Sequence, residues 1–254
     1  MAESPRALVT GASRKQGIAV AVARALAADG WSLALTGFPP HDEREGWRSE
    51  PEEIAAELDA SWYEDDLGDP QASARIFDHA GPVTALVNVH AHSETGGILE
   101  VAPEQLDRHF QVNVRGTALL TAEFARRFRG EPGTGRIVNF TSGLPLAGEL
   151  AYAASKGAIE WITVSAAAEV AARGITVNAI DPGPTDTGWL SPELYALIEG
   201  EMPLGRVGRP EDSAQLVAFL CSAVGGWITG QVIHCDGGWS SARALRFGRE
   251  PRSS

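Results

Sequence analysis

Ala7-Leu8-Val9-Thr10-Gly11-Ala12-Ser13-Arg14-Lys15-Gln16-Gly17-Ile18-Ala19 is the stretch whose reading decides the fold. An apolar run, Ala7–Thr10, stops at a glycine. A small polar loop follows, and Ile18–Ala28, rich in alanine and valine, reads as a helix. Glycine lets the chain turn tightly and lets backbone approach a bound group. The first turn of the helix then offers N–H groups without intrahelical partners and the positive end of the dipole, a setting that suits a pyrophosphate. Strand, glycine turn and helix in that order predict a dinucleotide-binding unit, with Gly11, Ser13, Arg14, Gly17 and Ile18 as candidate contacts. A plain strand–helix turn is the competing reading of these residues taken alone.

The alternation continues outward from this unit. Ser32–Thr36, Ser61–Glu64, Val83–Val87, Arg136–Phe140, Ile175–Ile180 and Val232–His234 read as strands. Glu52–Leu58, Pro70–Ala80, Pro103–Phe128, Tyr152–Arg173 and Pro210–Ser222 carry helical patterns. Repeated strand–helix alternation predicts a parallel sheet covered on both faces, and right-handed crossovers make it doubly wound. The fold class expected is therefore a Rossmann-type α/β sheet flanked by helices, as a single domain over residues 1–254. Two segments stand out from the pattern. Phe38–Pro51 reads as a long polar loop. Pro184–Arg206, with Trp189, Leu190 and Tyr195, follows a strand end and reads as a small substrate lid around 184–206. Leu144 and Leu146 are further candidates for an apolar pocket. The tail 242–254, with four arginines, reads as a solvated polar end.

Composition narrows the function. Thirty-three acidic residues against 21 Lys and Arg give a net charge of −12, which argues against nucleic acid as a partner. No apolar run approaches the roughly 18 residues of a membrane span. No basic stretch leads into an apolar core near Met1, so a cytoplasmic protein is expected. Cys221 and Cys235 lack a metal or redox spacing and read as small buried residues. His90 and His92 follow a strand end; they read as loop histidines, with a polar contact to substrate as the alternative and no metal ligation expected.

The chemistry is suggested by Tyr152-Ala-Ala-Ser-Lys156, at the start of the long helix. Residues i and i+4 share a helix face. A free phenol has a pKa of about 10, too high for easy exchange near neutrality, and a neighbouring ammonium favours the phenolate. Such a pair suits general acid–base work on a carbonyl or alcohol. Four-residue spacing also arises by chance, so the pair alone leaves a purely structural role open.

Together these segments resemble the short-chain dehydrogenase/reductase family, in its single-domain form resembling 3-oxoacyl-[acyl-carrier-protein] reductase-like members. The glycine loop resembles the family's TGxxxGxG, with two additional residues, Lys15 and Gln16, and Ala19 in place of the last glycine. Tyr152 and Lys156 resemble its YxxxK. Ile137-Val138-Asn139-Phe140-Thr141-Ser142-Gly143 is similar to the segment bearing the substrate-orienting serine, which makes Ser142 the matching residue and Thr141 the competing hydroxyl. Ser142 stands closer to Tyr152 than is usual in the family. The resemblance implies that Asn113 anchors a water in a proton relay to the lysine. It also implies that Asp66 contacts adenine beside Leu67, that Asn88 braces a cofactor-facing turn, and that Pro182, Gly183, Thr185 and Thr187 line a nicotinamide. Thr229–Gly238 is similar to the family's last strand, a packing and assembly element.

What the resemblance implies is an oxidoreductase moving a hydride between NAD(P)(H) and a carbonyl or secondary alcohol. Tyr152 exchanges the proton, Lys156 lowers its pKa and holds the cofactor ribose, Ser142 orients the oxygen, and Asn113 supports the relay. Thr36-Gly37-Phe38 ends the second strand without an acid, while Arg14 and Lys15 offer charge to a 2′-phosphate, so NADP(H) is expected ahead of NAD(H). The partners expected are a small-molecule carbonyl or alcohol and copies of the chain itself, as a tetramer or dimer built on the helices 106–128 and 152–173. A different reaction on the same scaffold (imine reduction, dehydration or epimerisation), a non-catalytic dinucleotide-binding module and a subunit of a mixed assembly remain the alternatives.

Overall fold

The computed structural model describes residues 4–143 and 148–246. Leu144 and Leu146, proposed above as pocket residues, and positions 247–254 of the polar tail lie outside the described residues.

Seven parallel strands form one sheet in the order β3-β2-β1-β4-β5-β6-β7. They are β1 Arg6–Thr10, β2 Ser32–Gly37, β3 Ser61–Glu64, β4 Ala85–Asn88, β5 Gly135–Phe140, β6 Ile175–Asp181 and β7 Val232–His234. The helices are α1 Ile18–Ala28, α2 Pro39–Arg44, α3 Pro51–Glu57, α4 Ala72–Ala80, α5 Pro103–His109, α6 Thr117–Arg127, α7 Leu150–Val170, α8 Pro192–Glu201, α9 Pro210–Cys221 and α10 Trp239–Arg246. The central strands are buried along their whole length, as strands covered on both faces must be. One face packs under α1 and α9, where alanine and valine let the backbones approach closely. The other packs under α4, α6 and α7, with Phe77 and Phe124 at its centre. The order runs outward from β1 through β2 to β3, then restarts at β4 on the other side of β1. That reversal opens a crevice at the carboxyl ends of β1 and β4, where ligands bind in open α/β sheets.

Two expectations need correction. The stretch expected as a loop from Phe38 to Pro51 holds a helix, α2, and Pro51 already begins α3. Proline at the first helical position, Asp42 in the first turn and Arg44 in the last satisfy the ends of so short a helix. The pattern Pro103–Phe128 is not one α-helix: Phe110–Gly116 is π-helical between α5 and α6. The segment 184–206 contains α8, started by Ser191, whose hydroxyl accepts from Leu194 N at 3.2 Å.

Candidate active site

A cleft of about 290 Å³ lies at the reversal point. Its floor is the glycine turn. Gly11 has φ +78°, and a Cβ there would sit 2.9 Å from the backbone of His90, so the close approach of β1 to the β4 loop requires glycine. Gly17 caps α1 in an extended conformation with no side-chain acceptor, and the first turn carries no acid. The N–H groups at this end therefore face the cleft without a competing carboxylate. The additional Lys15 and Gln16 are absorbed by a tight turn, Gly17 N to Arg14 O at 3.0 Å. Gln16 reaches over to Gly188, whose missing Cβ would lie 2.7 Å from Gln16 Oε1.

Arg14 and Lys15 part company. The Arg14 guanidinium lies in the cleft, 4.1 Å over the Trp47 ring, and its Nη2 donates to Thr187 O at 2.5 Å. Lys15 points away and pairs with Glu53 on α3, lining a separate cavity with Gln16 and Arg209. The expectation that Lys15 meets a 2′-phosphate fails because α3 supplies a nearer carboxylate.

On the far side of the cleft, Tyr152 and Lys156 share one face of α7. Lys156 is 2% exposed; its Nζ sits 5.7 Å from the Tyr152 ring centre and donates to Phe140 O at 3.0 Å. Burial raises the Tyr152 phenol above its ordinary pKa, and the charges of Glu149 and Asp181 push it the same way. Burial lowers Lys156 to about 8. In the protein by itself, then, burial works against the lowering of the tyrosine that the four-residue spacing suggests.

Thr141 and Ser142 differ in their surroundings, and of the two it is Thr141 that stands among the residues lining the cleft. Thr141 is buried, and its hydroxyl donates to Lys156 O at 2.8 Å, fastening β5 to α7. Ser142 is half-buried at the end of β5, and its hydroxyl has no hydrogen bond to a described residue. Asn113 sits in the π-helical turn, fully buried. Its Oδ1 accepts from His92 N at 2.7 Å, and its Nδ2 donates to His92 O and Ser155 Oγ, both at 2.9 Å. Its side chain is thus occupied in joining the β4 loop to α7.

His90 is buried between Thr10 Oγ1 (2.7 Å) and Thr117 Oγ1 (3.3 Å), and burial holds its pKa near about 3. It is a neutral brace under the glycine turn. His92 is also kept neutral, with a pKa of about 3, by burial and by the neighbouring His109 and His41. Its Nε2 lies 3.2 Å from Glu94 Oε1 but out of line, which leaves a buried ring nitrogen without a hydrogen bond among the described residues. His109 accepts from Glu94 N through Nε2, so its proton is on Nδ1, which donates to Gln105 O at 2.7 Å. The rings of His41, His92, His109 and Tyr152 follow one another at 5.2, 4.7 and 6.5 Å along the cleft.

The remaining candidates divide between wall and scaffold. Asp66, Leu67, Pro182 and Thr187 line the cleft, and Asp66 accepts from Gly68 N (2.8 Å) and Arg108 Nη2 (3.0 Å). Asn88, Gly183 and Thr185 stand behind it. Asn88 donates to Asn139 Oδ1 at 2.9 Å inside the sheet, and Thr185 Oγ1 closes the turn onto Pro182 O at 3.2 Å. Sequence reading missed His41, Asp42, Trp47 and Arg108, all in the cleft wall. The proline pair at 39–40 was the available signal for the helix that brings His41 and Asp42 in. Asp181, His234 and Asp236 also converge, with His234 Nδ1 and Asp181 Oδ2 2.8 Å apart. These carboxylates are engaged by the chain's own N–H and O–H groups at Gly183, Gly238 and Ser240.

A nicotinamide dinucleotide fits this cleft on two observations. The N-terminus of α1 is uncapped, and Thr36 Oγ1, buried at the end of β2 in the cleft wall, has no partner among the described residues. A doubly wound parallel sheet, a glycine turn at its reversal point and a Tyr–Lys pair across the cleft define the class of nicotinamide-dependent oxidoreductases. The sequence model described as enoyl-(acyl carrier protein) reductase matches residues 11–240. The chain is 41% identical over 243 residues to the uncharacterized oxidoreductase YjdA of Bacillus subtilis, covering 92% of this chain and 96% of that one. It is 33% identical over 243 residues to the 3-oxoacyl-[acyl-carrier-protein] reductase FabG of Aquifex aeolicus, covering 91% and 95%. A blue fluorescent protein from a metagenomic library, solved in complex with NADPH, superposes with a TM-score of 0.79 at 33% identity over 93% of this chain and 98% of that one. The chain belongs to the short-chain dehydrogenase/reductase family.

Proposed function

We propose that the protein interconverts a small carbonyl compound and its secondary alcohol, using NADP(H) ahead of NAD(H). The observation that carries this reading is the placement of Tyr152 and Lys156 in the same cleft as the uncapped end of α1. The nicotinamide, when bound, supplies or accepts the hydride. Tyr152 gives the proton to the carbonyl oxygen or takes it from the alcohol. Lys156, whose burial already loosens its proton, stabilises the phenolate and holds ribose hydroxyls. Ser142, just after β5 and with no hydrogen bond from its hydroxyl to a described residue, orients the substrate oxygen. Asn113 fixes the π-helical turn beside the lysine. Gly11, Ser13, Gly17 and Ile18 hold the pyrophosphate, with Asp66 and Leu67 at the adenine, Asn88 bracing the turn, and Pro182, Gly183, Thr185 and Thr187 around the nicotinamide. Segment 184–206, with α8, is the substrate lid. Arg14, the cation that the phosphate loop brings to the cleft, favours a 2′-phosphate, and NADPH is the nucleotide in the metagenomic relative's structure.

The protein works as a homo-oligomer, dimer or tetramer, through α6, α7 and the π-helical turn, where Trp161 is 76% exposed beside exposed Phe110 and Val164. Two free cysteines suit a reducing compartment, which supports a cytoplasmic site of action. Among the described residues no helix is long and apolar enough to cross a membrane.

Fluorescence titration with NADPH and NADH, followed by turnover on a panel of carbonyls, tests this reading. Wild type and Tyr152→Phe are expected to bind the nucleotide alike, while Tyr152→Phe loses roughly 10²-fold or more in rate. Arg14→Ala is expected to weaken NADPH more than NADH. Binding without turnover in wild type would instead make the chain a dinucleotide-binding module.

A further inference from the structure

The stretch after β2 has no task in the chemistry above. It begins at α2, which carries Asp42 to the end of the cleft that also holds Ser13, Arg14, Thr36 and Phe38. Asp42 is 9% exposed. Ser49 Oγ donates to its Oδ2 at 3.2 Å, and the Ser13 hydroxyl faces the same carboxylate. Trp47 N donates to Asp42 O at 2.8 Å and places the indole under the Arg14 guanidinium. Glu50 N donates to Ser13 O at 2.8 Å, so the far end of the stretch is tied to the phosphate loop. A carboxylate and a guanidinium are therefore held against the same small region, next to the Thr36 hydroxyl, which has no partner among the described residues.

In dinucleotide-binding sheets this region meets the adenosine ribose. A carboxylate there accepts from the ribose 2′-hydroxyl, and an arginine accommodates a 2′-phosphate. β2 itself ends in Thr36-Gly37, with Phe38 next, and supplies neither. We propose that Asp42, delivered by α2 from beyond the strand end, is the ribose-facing carboxylate of this chain and acts against Arg14. The balance of the two, not Arg14 alone, then sets the preference between NADPH and NADH. A carboxylate has about four acceptor positions, so one remains for a ribose hydroxyl beside Ser49 and Ser13. A 2′-phosphate in the same place would bring like charges together where little water screens them. This rests on the dinucleotide reading above.

The test is equilibrium titration of the full chain with NADPH and with NADH, read by nucleotide fluorescence and without substrate. Asp42→Asn keeps the shape and removes the charge. It is expected to tighten NADPH and weaken NADH, moving their ratio about tenfold towards NADPH. Arg14→Ala is expected to move it the other way. Asp42→Ser, which is smaller and can still meet Ser49, serves if the first variant fails to fold, as judged by far-ultraviolet circular dichroism. A ratio within twofold of wild type in both Asp42 variants, with Arg14→Ala still shifting it, would overturn the role of Asp42 and leave the dinucleotide reading standing. No binding of either nucleotide by wild type would overturn both.

Discussion

Lys156 shows how the environment of a residue decides what its spacing only suggests. Four positions along a helix put an ammonium near a phenol, but Lys156 is 2% exposed and Tyr152 half-buried in the cleft wall. Burial costs a charge more than it costs a neutral group, so the lysine loosens its proton and the tyrosine holds its own more tightly. The consequence for stability has a definite sign. The folded pKa of Lys156, about 8, lies below its ordinary 10.5. Between those values the unfolded chain keeps a proton that the folded one has released, so folding gains stability as pH rises through that window. Below pH 8 the penalty is present in full, worth about 3 kcal/mol for a gap of this size. Lys156→Met carries no such penalty. In urea unfolding, the stability of Lys156→Met relative to wild type is expected to fall by about 2 kcal/mol between pH 7 and pH 9.5. Comparing the two proteins cancels Tyr152 and Cys221, whose burial-raised pKa values work the other way at high pH. An unchanged difference would mean that Lys156 is charged and solvated in the folded protein.

At the scale of elements, the π-helical turn is the joint that brings three parts of the cleft into register. An i→i+5 turn widens the helix and turns its side chains, and such turns recur at functional sites. Here the turn aims Asn113 at the backbone of the β4 loop and at Ser155 on α7. Asn113→Ala would strand His92 N and His92 O without partners in the interior, at a cost of about 2–4 kcal/mol. The thermal midpoint should drop by roughly 5–12 °C, measured by calorimetry on the nucleotide-free protein. Asn113→Asp keeps an acceptor for His92 N but loses the donor to His92 O, so its drop should be of similar size. A midpoint within about 2 °C of wild type, equivalent to roughly half a kcal/mol, would mean that the joint is not carried by Asn113. This is also where the sequence stops being legible. Strand alternation, the glycine turn and the Tyr–Lys pair are local patterns, and each is visible because its period or its glycine sits in a few consecutive residues. The π turn leaves no such mark, since its composition is that of an ordinary helix. Lys15 looked available because Glu53 is distant in sequence and near only after α3 folds. Asp42 and Trp47 looked like loop residues because only α2 and the tie from Glu50 to Ser13 turn them into the cleft.

For the whole molecule the sheet is closed to growth in different degrees at its two edges, and the apolar surface follows that asymmetry. β3 is short and ends the sheet on one side, with Arg6 and Arg75 on polar partners close by. β7 ends it on the other, close to an end of α9 where Phe219, Val224 and Trp227 are exposed, Trp227 to 97%. A second apolar face runs across α7 and the π turn, through Trp161, Val164 and Phe110. A net charge of −12 repels copies of the chain at long range, so an assembly must be held by apolar contact at short range, and Trp161 and Trp227 are the large exposed side chains that could supply it. A two-fold packing of α6 and α7 on their copies would bury Trp161 against an identical surface. Light scattering coupled to gel filtration should give the wild type as a tetramer or a dimer. Trp161→Glu places a charge at the centre of that face and should reduce the particle by at least a factor of two, while its circular dichroism stays that of wild type because Trp161 adds nothing to the core. Trp227→Glu distinguishes the faces: in a tetramer it should leave a dimer held by the helices. If Trp161→Glu leaves the mass unchanged and Trp227→Glu lowers it to that of one chain, the β7 edge is the assembly surface and the helical face is not.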